Sequence, residues 1–186
     1  RWIGEAYTDL TRSSEPAVVS ESVFNGRQLT IVNYENITIK GGVNSRIVVD
    51  PAYAFVLNFV NCTNITIENL TMGHTVEGYC TGGVIGLTNS SAITIKSCDL
   101  YGCGAYGIVS QESPFLMEKS IIRDCSYGIM QLYGVSYAEF NECDFFRNRE
   151  FSMVEIDGNS SNIQFNHCRF AQNQGVLFAV DTDVEV

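Results

Sequence analysis

The sequence carries little charge, and little of that is positive. Charged residues make up 17% of the 186, and 11 Lys plus Arg face 21 Asp plus Glu, a formal net charge of −10. Such a surface repels nucleic acid, anionic membrane and anionic polysaccharide, which excludes a phosphate-backbone binder. No apolar run approaches the roughly 18 residues of a membrane span. Disorder is excluded as well, because apolar residues reach 45% and disordered chains are poor in them. The seven cysteines form no C-x-x-C pair and no zinc-ligand spacing, so neither metal nor cofactor is expected. Helical periodicity is missing from the body of the chain, and so are Asn-Gly hairpin signals after Asn25-Gly26. The chain opens at Arg1 without a signal-peptide pattern.

What is present is repetition, sought first because it decides architecture. Asn36-Ile37-Thr38-Ile39 recurs as Asn64-Ile65-Thr66-Ile67 and as Ala92-Ile93-Thr94-Ile95, each step 28 residues. Looser copies follow at Phe115-Leu116-Met117, Ala138-Glu139-Phe140 and Ile163-Gln164-Phe165, at spacings of 22, 23 and 25. A second apolar strand precedes each copy, through Leu29/Ile31, Leu57/Phe59, Ile85/Leu87, Ile108, Ile129, Val154/Ile156 and Leu177. Alternation of period 2 in both strands predicts one buried face and one exposed face.

Further columns fix the register. Gly42, Leu70, Cys98, Ser120, Cys143 and Cys168 form one, and Met72, Leu100, Ile122, Phe145 and Phe170 another. Tyr106-Gly107-Ile108 and Tyr127-Gly128-Ile129 repeat a tripeptide at 21 residues. Like residues stacking on like from turn to turn predict an all-β, single-domain parallel β-helix of about seven turns. Asn33, Asn61 and Asn89 recur at 28 and predict an amide ladder along the turns. Six N-x-S/T sequons, at Asn36, Asn61, Asn64, Asn69, Asn89 and Asn159, read as turn and strand residues of the same pattern. Residues 1–24 are expected to cover the first turn, with a short cap helix carrying Ile3, Ala6, Tyr7 and Leu10 on one side. Residues 25–180 form the repeats, and the acidic tail 181–186 protects the last strand edge.

These columns resemble the right-handed parallel β-helix repeat proteins of the pectin-lyase-like superfamily, in a bacterial branch, over roughly residues 25–180. The resemblance implies right-handedness, an exported or cell-surface location, and for its enzymes action on polysaccharide in a groove along one sheet. The motifs of polygalacturonase-like members do not carry over. No Asp-Asp pair occurs, Gly73-His74 is followed by Thr75, and Arg46-Ile47-Val48 lacks the Lys. Fold alone does not transfer activity.

The longest irregular segment inside the array, residues 73–83, is an insertion of the kind that often carries function. Stacking the turns gathers His74, Glu77, Tyr79, Tyr101, Tyr106, Arg123, Asp124, Tyr127 and Arg147 on one wall. Read as a sugar site, Tyr79, Tyr101, Tyr106, Arg123, Tyr127 and Arg147 bind glycan through ring faces and guanidinium groups. Read as a catalytic site, His74 or Glu77 is the base and Asp124 the acid, in a lyase or glycoside hydrolase. Read structurally, the charges are solvated and the tyrosines form a packing stack. Cys80 beside His74 is the one thiol placed for nucleophilic chemistry. Cys103 and Cys125 occupy equivalent positions on adjacent turns, suiting either a disulfide or reduced stacking. The leading expectation is a non-catalytic recognition or scaffold module touching polysaccharide or cell-surface glycan.

Overall fold

The computed structural model describes residues 17–19 (backbone alone), 30–42, 44–49, 53–74, 82–102 and 104–181. Twenty strands among them build three parallel sheets. Sheet A holds Ala17–Val19, Arg46–Val49, Thr71–His74, Asp99–Tyr101, Ile121–Arg123, Asp144–Phe146 and Arg169–Ala171. Sheet B holds Thr30–Val32, Leu57–Val60, Ile85–Thr88, Tyr106–Gln111, Gly128–Tyr133, Arg149–Asp157 and Gln174–Val180. Sheet C holds Glu35–Lys40, Thr63–Glu68, Ser91–Lys96, Phe115–Glu118, Ala138–Asn141 and Ile163–Asn166. The chain therefore winds C, A, B through six full coils, preceded by one A and one B strand. About seven turns were expected, and six are complete. The expected cap helix lies outside the described residues, as does the tail after Asp181. Ala17–Val19, within the expected cover, forms the first strand of sheet A, paired with Ile47–Val49.

The alternating pattern explains the strands. Ile65 and Ile67 point inward and are fully buried, while Thr66 between them faces out, half-buried. Ile37, Ile65, Ile93, Phe115, Ala138 and Ile163 stack in register through sheet C. Met72, Leu100, Ile122, Phe145 and Phe170 do the same through sheet A. Each large side chain so buried contributes on the order of 2 kcal/mol. Toward the C-terminal end the core becomes aromatic, with Phe140 stacked on Phe165 at 4.7 Å and Phe145 beside Phe170 at 4.8 Å.

Three corners per coil need backbone that turns sharply, and 19 non-glycine residues among those described have positive φ. Asn supplies many of them because its short amide tolerates the left-handed region. All six sequon asparagines are in this set. The amide ladder is present: Asn61 donates to Asn33 Oδ1 at 3.2 Å and Asn64 to Asn36 Oδ1 at 2.7 Å. At each corner a small polar side chain takes the N–H of the coil before it. Ser90 accepts from Cys62, Ser120 from Cys98 and Asn148 from Cys125, each at 3.0 Å. These three corner N–H groups are thus paired with side chains of the neighbouring coil.

Two register details differ from the sequence reading. Ile108 pairs with Met130, not Ile129, and Val154 with Phe178, not Leu177. The tripeptide repeat at 21 residues is a coincidence of sequence. Leu100 pairs with Ile122 and Tyr106 with Gly128, so the structural step there is 22. A one-residue shift exchanges the inward and outward faces. A register irregularity between Arg149 and Ser152 displaces the last sheet B pairing in the same way.

Candidate functional site

Four of the nine expected wall residues meet on sheet A and at its corner to sheet B. Tyr101 lies flat on Gly73, where a Cβ would stand 2.8 Å from the ring and 2.4 Å from the Tyr101 carbonyl oxygen. No other residue leaves that space. Arg123 stacks on the Tyr101 ring at 4.8 Å, and Arg46 donates to its hydroxyl at 2.7 Å. Arg123 also donates from Nε and Nη2 to both oxygens of Asp99 at 2.9 Å, and from Nη1 to Asp124 at 2.9 Å. Arg147 grips the other side of Asp124 at 2.8 and 2.9 Å and stacks on Phe146 at 4.6 Å. These are paired, bidentate contacts, the strong geometry for guanidinium and carboxylate.

Electrostatics follow from that grip. Burial pushes the Asp124 carboxyl up, but the hydrogen bonds and charges of Arg147 and Arg123 outweigh it and hold the pKa below the usual carboxylate value. Asp124 is thus an ionised acceptor at neutral pH rather than a proton donor. Beside it opens a groove of about 400 Å³ lined by Asp124, Arg147, Asn148, Arg149, Gln172 and Gln174. Asp124, Arg147 and Gln172 all have positive φ, between 55° and 57°. One corner conformation repeated on successive coils therefore sets three of the groove's side chains in a row.

His74 was expected in an exposed loop. It is the last residue of its sheet A strand and 4% exposed. Nε2 lies 2.8 Å from the Ala54 carbonyl oxygen and donates to it, which leaves Nδ1 a buried acceptor without a partner among the described residues. Burial lowers its pKa, offset in part by the Ala54 bond, so the ring is neutral at neutral pH. Gly104 closes over it, a Cβ there standing 3.1 Å from Cε1. Glu77, Tyr79 and Cys80 lie outside the described residues.

Tyr106 and Tyr127 are around the corner, on the leading edge of sheet B. The Tyr106 pKa is raised by burial and by Glu155, which takes its hydroxyl as hydrogen-bond partner. Gln131 donates to the same Glu155 at 3.1 Å. Tyr127 meets Phe151 edge to face at 5.1 Å. The sequence reading missed Arg46, Asp99, Gln131, Phe151 and Glu155. Arg123 pairs with Tyr101, so Asp99 stands two residues before its partner, on the same outward face of the strand.

The buried thiols of Cys98, Cys125 and Cys143 are held protonated. Burial pushes Cys98 up to about 11 and Cys143 up to about 12. Cys125 is free and buried, and its expected partner Cys103 lies outside the described residues. Among the described residues no three His, Cys, Asp or Glu side chains converge as metal ligands, and no helix is long and apolar enough to cross a membrane.

Comparison with known proteins agrees with the coil geometry. The capsule K1-specific depolymerase of Klebsiella phage K64-1 is 28% identical over an alignment of 147 residues that covers 73% of this chain and 16% of that protein. The match thus spans about one-sixth of that relative's length. Residues 23–185 match the family described as "right handed beta helix region". That span takes in all six coils and every column traced through them, and the chain belongs to the right-handed β-helix family.

Proposed function

We propose that this chain is a non-catalytic polysaccharide-recognition module working outside the cell or at its surface. The observation that carries the reading is the corner groove. Its guanidinium and amide groups, from Arg147, Arg149, Gln172 and Gln174, are the planar, polydentate partners that sugar hydroxyls take. The similarity to a protein named as a capsule depolymerase supports a glycan as ligand. The pinned, ionised Asp124 and the enclosed, neutral His74 favour binding over proton transfer by these groups.

A catalytic reading, a divergent lyase or glycoside hydrolase near the 73–83 insertion, is favoured by the relative's name alone. One experiment separates the two. Purified capsular polysaccharides are titrated into the chain and into the double variant Arg149→Ala, Gln174→Ala, and the mixtures are examined by mass spectrometry for released oligosaccharides. The expected result is binding that weakens at least tenfold in the variant, with no release. Release that vanishes in Asp124→Asn would overturn the non-catalytic reading.

A further inference from the structure

We infer that the outer face of sheet B is a second polysaccharide site, distinct from the corner groove, that takes a neutral sugar chain lying along the solenoid axis on a strip of aromatic rings. This rests on the reading of the chain as a polysaccharide-binding module and adds where, and to what class of glycan, a second contact is made.

The strip is built from an alternation. Phe55, Gly83, Tyr106 and Gly128 follow one another on successive coils at the leading edge of sheet B. Each ring lies across the glycine of the next coil. A Cβ on Gly83 would stand 2.5 Å from Phe55 Cε1, and one on Gly128 would stand 3.0 Å from Tyr106 Cε1. Gly86 widens the bed of Phe55, with a Cβ there 3.2 Å from its Cδ1. Rings laid flat over glycine keep one face against the sheet and turn the other outward, and both Phe55 and Tyr106 are half-buried. They repeat every second coil, about 9.5 Å apart at the ordinary strand spacing. That is close to the length of a disaccharide in an extended chain. Tyr127, one residue before Gly128 on the same coil, meets Phe151 of the next coil edge to face beside the strip, and Phe151 is 55% exposed.

Three polar side chains, Asn58, Gln131 and Glu155, stand in the column beside the rings. Asn58, Gly86, Val109, Gln131 and Glu155 form the adjoining outward column in register. Charge selects the ligand. Among the arginines of the described residues, Arg46, Arg123 and Arg169 lie on sheet A and Arg147 at its corner, while Arg149 opens the sheet B strand that carries Phe151; the adjoining column's one charged residue is Glu155. A polyanion is repelled here, and an uncharged pyranose chain is not. Packing alone accounts for flat rings but not for an exposed Phe151 beside their line.

The test is a printed array of neutral and anionic polysaccharides, probed with the chain, with the triple variant Phe55→Leu, Tyr106→Leu, Phe151→Ala, and with Arg149→Ala, Gln174→Ala. Leucine keeps apolar volume over the glycines, and circular dichroism confirms the coils. The expected result is retention on neutral polysaccharides that falls at least tenfold in the triple variant and persists in the groove variant. Retention unchanged in the triple variant, or stronger on anionic polymers, overturns the strip while leaving the module reading intact. Retention on no polysaccharide overturns both.

Discussion

Phe140 and Phe165 stack face to face, yet Phe140 is fully buried and Phe165 is not. The residues, the strand type and the sheet are the same, but among the described residues only Phe140 has a sheet C strand on both sides. The contrast runs through every column. Val154 is 0% exposed and its partner Phe178 is 42%, and Val180, in register with the half-buried Ile156, is 57%. In a solenoid a coil's stability comes mostly from its neighbours, so the same inward residue is worth different amounts at different places. The sequence pattern is uniform along the array and the energetics are not.

The largest effect that would sharpen this comparison is in the core. Phe140→Ala should cost about 3–5 kcal/mol in urea unfolding, because it leaves a cavity between Phe115, Phe145 and Phe165. Phe178→Ala should cost under about 1.5 kcal/mol, since much of its ring already meets solvent. Equal costs would break the comparison.

A smaller effect separates a buried titrating group from exposed ones. The His74 pKa is lowered from 6.5 in the fold, so below about pH 6.5 the unfolded chain binds the proton first. Stability should therefore fall with pH there, by at most about 1.4 kcal/mol per pH unit. Asp124, also lowered, acts in the same direction but only below its ordinary value of 3.8. Thermal melts between pH 7 and 5 should drop for the natural chain and stay flatter for His74→Gln. Parallel curves would show that His74 does not titrate as its burial requires.

The smallest effect concerns ion pairs. Arg169 and Asp144 have side chains 69% and 38% exposed, against 25% and 28% for Arg123 and Asp99. Arg169→Ala should change the melting free energy by no more than ~0.5 kcal/mol, and less in high salt. A larger loss than for Arg123→Ala would reverse the ranking of the two regions.

The architecture was legible because the repeat acts on residue class. Ile65 over Ile93 over Phe115 needs no partner beyond the next copy of itself, so counting was enough. The candidate site was legible only in part, because it depends on register to the single residue. Coils vary from 22 to 28 residues, and a tripeptide repeated at 21 was enough to set Tyr127 beside Tyr106, although Gly128 is the true neighbour. The alternation Phe55, Gly83, Tyr106, Gly128 was a signal in the sequence, readable once strands rather than tripeptides are aligned. His74 looked exposed because an insertion follows it, yet its own strand carries it inward beside Met72, with Gly104 closing over the ring.

The asparagine ladder bears on how this protein is best made. N-linked glycosylation attaches sugar to the side-chain amide nitrogen of asparagine in an N-x-S/T context. Asn61, Asn64 and Asn69 stand in that context, and each already donates from that same nitrogen to the coil before it, Asn69 to the Gly41 and Gly42 carbonyl oxygens. In a eukaryotic secretory host the oligosaccharyl transferase and the folding coil would compete for one atom. A sugar added first would crowd the rungs on which the early coils are registered, so a host without that enzyme suits this sequence.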